Sequence, residues 1–331
     1  MNKVARAGSA ISARAQVFPI SGVLLANLAW GIGPILTVAI DMSVNSTIFY
    51  RVTMWPFVLY FIARNRKAEI SLRILRSALV PGIFFGVSTI FGFMSFTNTS
   101  IANATLIGST SSAMMLFIAP SYLKEKITKL QVLCAFSSFC GVALVVIAAG
   151  GGGGATVYGD SLALINAVLW TGYFVATKKM RTEGFNTWSF MFSIALIQAV
   201  LAGAWALFTS KDITSISQRD FLLVLTMTLI PGTVGHTAIV WAQKFVAAST
   251  SSLICLLGPV ISMCFAWIIF DQRIKPWQLV GAVIVLTSLA GVVRYGTSEA
   301  AKADVLRNAD PLLNSSRNTC GRGSVGRASP C

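Results

Sequence analysis

The residues of this chain that could bind or react fall into two stripes and two isolated positions. Asn27, Trp30, Pro34 and Thr37 recur at steps of three and four, and Asn166, Trp170, Tyr173 and Thr177 repeat the theme. On a helix that spacing sets an amide, an aromatic ring and a hydroxyl on one face. Arg51 interrupts an apolar run, where an arginine at the centre of a membrane helix costs roughly 2.5–3.5 kcal/mol. His236 is the only histidine, with Thr237 and Trp241 expected near its face. The chemistry these types offer is noncovalent. Aromatic faces suit an amphipathic metabolite or an organic cation. A guanidinium attracts a carboxylate, and a neutral imidazole lines a cavity or carries a proton. Each also has a purely structural reading: stripes that pack helices, an arginine that snorkels or pairs with Asp41, a histidine satisfied in the core. Acid–base chemistry needs a paired group, and one histidine with no carboxylate inside an apolar run supplies none. An intramembrane enzyme is therefore the weaker alternative, and no catalytic residue, cofactor or metal is expected.

The elements that position these residues are apolar runs of about twenty, the length that crosses a bilayer. They cover 17–40, 44–63, 78–97, 102–122, 130–149, 161–177, 188–209, 221–241, 251–270 and 277–295. Mean hydropathy is +0.73 and only 11% of residues are charged, against roughly 25% in a soluble domain. The fold class expected is all-α, a polytopic membrane protein. A β-barrel would alternate over about ten residues, whereas these runs are continuous. The run from Val17 is too long for a cleaved leader and is expected to remain as the first span.

The net charge of +15 would suit a nucleic-acid binder if the cations were clustered. They are not. Arg51 lies in a span, and Lys211, Arg219, Arg273 and Lys275 fall in loops on one side. Every other lysine and arginine falls in tails and loops on the opposite side. That asymmetry fits the positive-inside rule with both termini cytoplasmic, in a cell (inner) membrane. Basicity here reports topology, and the expected partners are the lipid bilayer and a small-molecule substrate, not nucleic acid. The six cysteines show no metal-like spacing and imply no disulfide framework.

Five consecutive glycines, Gly150 to Gly154, divide the spans five and five. Such a run packs nothing and reads as a flexible linker, 150–160. Laying the halves 17–149 and 161–295 on each other matches Trp30 with Trp170, Asn45 with Asn186, Pro81–Gly82 with Pro231–Gly232, and Gln131 with Gln278. An odd number of spans per repeat makes the second half inverted, a recurrent transporter design with the site between repeats. Small residues at 108–112 and 249–252 suit a repeat interface that rocks. Residues 1–16 and 296–331 are expected as cytoplasmic tails, the latter disordered.

These marks resemble the drug/metabolite transporter superfamily and its EamA-type repeat. The resemblance rests on Glu125, Lys126, Ile127, Gln131 and Gly141 in the first half, and Pro259, Arg273, Ile274, Gln278 and Gly281 in the second. Ala29-Trp30-Gly31 and Arg51 are also family-like. Gln272 stands where the family usually has glutamate, with Asp271 beside it, and Ser112 where the first repeat usually has proline. The resemblance implies ten helices, a central cavity, and movement of amino acids, related metabolites or drugs, often outward, by a monomer or a homodimer. The substrate-binding candidates are Asn27, Trp30, Arg51, Asn166, Trp170, Tyr173, His236 and Trp241, working by exchange or facilitated diffusion because no carboxylate lies mid-span.

Overall fold

The computed structural model describes residues 18–149, 156–271 and 273–309. Among them every regular element is a helix. α1 covers 18–31 and, after a break at Ile32, Gly33–Ala39. α2 is Val44–Asn65, and a short helix, Leu72–Ser77, leads into α3, Leu79–Asn98. α4 runs from Ile101 to Ile118 and closes in a wide turn, Ala119–Leu123. α5 is Lys129–Ala149 and α6 is Val157–Thr182. α7 comprises Thr187–Gln198, a wide turn Ala199–Gly203 and Ala204–Thr209. α8 comprises Gln218–Met227, a wide turn Thr228–Gly235 and His236–Ala242. α9 comprises Ala248–Ile254, a tight turn Cys255–Leu257 and Gly258–Phe270, and α10 is Pro276–Ala309.

Eight of these helices are long and apolar enough to cross a membrane. α2 and α6 are as long but carry charges, Arg51 in one and Lys178, Lys179 and Arg181 near the end of the other. Phe57, Phe61, Phe117, Phe136 and Phe208 all stand exposed on the outside of the bundle. In water so many bare phenyl rings would aggregate, whereas in lipid they are solvated.

The helices start where short polar side chains can cap them. Ser43, Ser100, Thr156, Asn186 and Ser217 each accept a hydrogen bond from a backbone N–H in the first turn of the helix they precede. Such caps contribute about 1 kcal/mol each. α6 begins at Val157 rather than 161 because Thr156 caps it and Asp160 in its first turn favours the helix dipole. The glycine run lies outside the described residues. α10 continues to Ala309, through the start of the tail expected to be disordered from 296, and residues 310–331 lie outside the described residues.

Residues paired by sequence do matching work. Gln131 Oε1 accepts from Thr128 N at 2.9 Å, and Gln278 Oε1 from Lys275 N at 2.8 Å, so each reaches back to cap its own helix. Lys124 and Asp271 end α4 and α9 in the left-handed conformation, at φ 55° and 50°. α5 and α10 cross backbone to backbone at Gly141 and Gly281. A Cβ on Gly141 would come 2.8 Å from Gly281 O, and one on Gly281 would come 2.6 Å from Gly141 O. α4 meets α9 where Ser112 donates to Ser252 O at 2.6 Å, at the residue that stands in place of proline.

One end of the bundle gathers the cations. There Arg73 lies over the Phe185 ring, Lys178 reaches the α8–α9 loop and Glu125 reaches the start of α9. The other end holds Asp41, Asp160, Asp212 and Arg219. The first is termed the basic face below.

Candidate functional site

The centre of the molecule is built around the wide turn of α8. Pro231 has no N–H to donate, so the helix cannot keep its regular ladder there. Thr233 Oγ1 instead donates to Thr228 O at 2.9 Å, five residues back. The widened turn presents Pro231 O sideways, and Trp30 Nε1 donates to it at 3.1 Å. Only a residue without a side chain lets that indole approach, since a Cβ on Gly235 would lie 2.7 Å from Trp30 Nε1.

His236 follows the turn and sits among four rings. Its centroid is 5.1 Å from Trp30, 5.6 Å from Trp55, 4.7 Å from Phe85 and 5.9 Å from Trp170. Trp30 and Trp170 meet edge to face at 5.8 Å, so the two residues matched by the sequence repeat touch. Tyr173 stacks on Phe85 at 4.7 Å. It is fully buried and forms the wall of the cluster, and its hydroxyl makes no hydrogen bond. Edge-to-face and offset contacts of this kind add about 0.5–1.5 kcal/mol each beyond the area they bury. Five helices, α1, α2, α3, α6 and α8, drawn from both sides of the glycine run, thus meet in one aromatic box.

Trp30, Trp170, Tyr173 and His236 are brought together as expected; the other candidates are placed elsewhere or at its edge. Asn27 is buried and donates to Val23 O at 2.8 Å and to Cys255 Sγ at 3.9 Å, fastening α1 to α9. Asn166 accepts from Ser88 Oγ at 2.7 Å and fastens α6 to α3. Trp241 turns away from the box. It packs edge to face on Phe18 at 5.4 Å and lines a cleft of about 520 Å3 with Thr237 and Trp188 toward the basic face. Five residues of helix carry it about 140° round from His236, so the shared face expected for the two does not exist. Arg51 is half-buried, its guanidinium 5.8 Å from the Phe93 ring centroid. It does not pair with Asp41, because Asp41 lies in the loop beside the start of α8 and takes Arg219 at 2.7 Å.

Sequence reasoning missed Trp55 and Phe85, each 3% exposed and in contact with His236. The one available signal was that Trp55 lies four residues after Arg51, on the same face of α2. Gln198 was also missed; buried on α7, it donates to Thr89 Oγ1 at 2.7 Å on α3.

Both ends of the box are tied shut between the halves. On the basic face Glu125 accepts from Ala248 N at 2.6 Å, Ser249 N at 3.0 Å and Ser249 Oγ at 2.6 Å, holding the start of α9. On the other face Asp212 accepts from Ser43 N at 2.8 Å, Ser43 Oγ at 2.5 Å and Ser46 Oγ. Tyr50 Oη adds a bond to Ile213 O at 2.6 Å. The Ser43 and Ser46 bonds hold the Asp212 carboxyl down at about 2. Asp160 accepts from Thr99 Oγ1 at 2.6 Å and from Asn103 Nδ2 at 3.2 Å, holding the start of α4 much as Glu125 holds α9. Gln272, the residue in glutamate's place, lies outside the described residues.

The EamA-like transporter family matches this sequence over residues 17–147 and again over 157–294, one stretch on each side of the glycine run. The chain belongs to that family. The EamA-like chain is also 29% identical to the uncharacterized transporter YyaM of Bacillus subtilis, over 73% of its own length and 82% of the relative. It is 26% identical to a protein named riboflavin transporter in Brucella anthropi, over 71% and 81% of the two chains. A solved crystal structure superposes with a TM-score of 0.71 at 15% identity, covering 84% of this chain and 97% of that one, and shares the fold. The protein is thus a multi-pass, all-helical membrane transporter.

Proposed function

We propose that this transporter carries small organic solutes across the cell inner membrane, outward, by alternating access, with the aromatic box as its central site. The observation that supports this most directly is the contact of Trp30 with both Trp170 and His236, which joins α1, α6 and α8 at mid-depth. Ties between the halves stand on both faces, at Glu125–Ser249 and at Asp212–Ser43. Releasing one set while keeping the other would open the box to one side at a time, with the halves related as inverted repeats. On this reading ten helices cross the membrane, both termini are cytoplasmic and the basic face is the cytoplasmic one.

Amino acids, related metabolites and drugs with an apolar or aromatic part fit a box of this lining. The relative named for riboflavin, a planar aromatic solute, agrees with that class. Uptake and efflux by the purified protein in liposomes, over amino acids, nucleosides and cationic drugs, is the test. Alanine at both Trp30 and Trp170 is expected to abolish flux of any solute carried. Flux unchanged in that double variant, or no solute moved at all, overturns the proposal.

A further inference from the structure

Several polar groups in and beside the aromatic box, the Tyr173 hydroxyl among them, make no hydrogen bond, and three of them point to one kind of ligand. Trp55 is 3% exposed, and its Nε1–H, beside Gly232 in the wide turn of α8, makes no hydrogen bond. His236 is 4% exposed, and its Nδ1 likewise makes none. The two rings stand 5.6 Å apart. Arg51 lies one turn before Trp55 on the same face of α2. Among the described residues it forms no ion pair, its one aromatic neighbour being Phe93.

An orphaned donor in an apolar interior costs roughly 1–3 kcal/mol, so a chain that keeps two of them beside an unpaired cation has something else to bind there. All three can donate: the guanidinium through five N–H groups, the indole through one, the imidazole through Nδ1–H in one tautomer. No aspartate or glutamate among the described residues forms an ion pair with Arg51, and Asp41, Glu125, Asp160, Asp212 and Asp220 are engaged at the helix ends. A site of donors around a positive charge repels organic cations, even ones that aromatic faces alone would welcome.

We infer that Arg51, Trp55 and His236 form a receptor for a carboxylate on the transported solute, whose aromatic or apolar body lies against Trp30, Phe85 and Trp170. This rests on the central site proposed above and names the class of solute it takes: organic monoanions, or zwitterions held by their acid end. The Arg51 guanidinium provides the two-pronged bond that fits a carboxylate, and the indole and imidazole fix its second edge.

The test uses 3-phenylpropionate, 3-phenylpropionamide and 3-phenylpropylamine, which share a ring and differ in the end group. Binding is read by tryptophan fluorescence of the full chain in lipid nanodiscs, and movement by counterflow in liposomes. The carboxylate is expected to bind at least about tenfold tighter than the amide, and the amine weakest. Arg51→Gln should bring that ratio to about one with amide binding intact, which also reports a folded variant. Arg51→Lys should keep part of the preference, and Trp55→Phe, which retains the ring and loses the N–H, should lower it. A carboxylate that binds no tighter than the amide in the unaltered protein overturns the inference. So does a ratio indifferent to Arg51→Gln and Trp55→Phe. A carboxylate held through Arg51 but never moved would keep this receptor and sink the transport proposal. Solutes moved with no preference for the acid would do the reverse.

Discussion

Asp212 accepts both the backbone N–H and the hydroxyl of Ser43, at 2.8 and 2.5 Å, so one carboxylate in the α7–α8 loop grips the residue that caps α2. Those bonds favour the ionised form and hold its pKa at about 2, below the ordinary 3.8. A depressed carboxylate contributes stability that is fully present above the unfolded value and is lost as pH falls through the folded one. The melting temperature of the detergent-solubilised protein is therefore expected to drop further between about pH 4 and pH 2 than that of Asp212→Asn. Equal pH profiles for the two proteins would show that the grip adds nothing.

Glu125 offers a matching test on the basic face. Two of its three bonds satisfy the first N–H groups of α9, which starts at Ala248 with no cap of its own, and the third holds the Ser249 hydroxyl. Glu125→Ala should cost about 1–2 kcal/mol, the range for losing a charged helix cap. Glu125→Gln should cost less, because an amide oxygen can still accept. Denaturant unfolding followed by circular dichroism would order the three proteins, and an alanine variant as stable as the parent would contradict the bonds described.

At the α5–α10 crossing there is no room for a methyl group. Gly141→Ala would force its Cβ against Gly281 O, which is backbone and cannot swing away. The expected cost is about 1–3 kcal/mol, as for other overpacked sites. A lower melting temperature checks it, with Gly33→Ala as the control, since nothing lies within 4 Å of a Cβ there.

Proton coupling should be absent. Asp41, Glu125, Asp160 and Asp212 all sit at helix ends in bonds that join elements, not along the box. With voltage clamped at zero, an imposed pH gradient is expected to leave solute flux in liposomes unchanged. Flux that follows the gradient would require a proton carrier, and His236 would be the first residue to replace.

Much of this architecture was legible in the sequence because a bilayer demands a continuous apolar run for each crossing, and that signal needs no partner. Helix starts were less legible. Hydropathy places α6 at 161, whereas the hydrogen bond of Thr156 to Gly159 N starts it at Val157. The internal repeat paired Trp30 with Trp170 as linings of one site, and the structure adds that their rings touch. Trp55 and Phe85 were not, because an aromatic residue in an apolar run looks the same whichever way it faces: Trp55 is 3% exposed and Phe57, two residues on, 67%. Arg181 was read as one of the cations that set topology. It is also 2% exposed and bonded to Val240 O and Thr187 Oγ1. Charge counting registers which side a residue is on and nothing of how deep its head group turns.

Gly141 and Gly281 bring two backbones together, with the Val145 and Val285 side chains closing in beside them. Valines packed on both flanks keep the helices from sliding past each other, so relative motion of the two is a rotation about the point where the backbones touch. The contact is then a fulcrum. A tilt of about 10° there swings Lys129, about twelve residues or 18 Å away, by about 3 Å. A lever of that reach would carry a small angular change at the crossing out to the loop that holds Glu125.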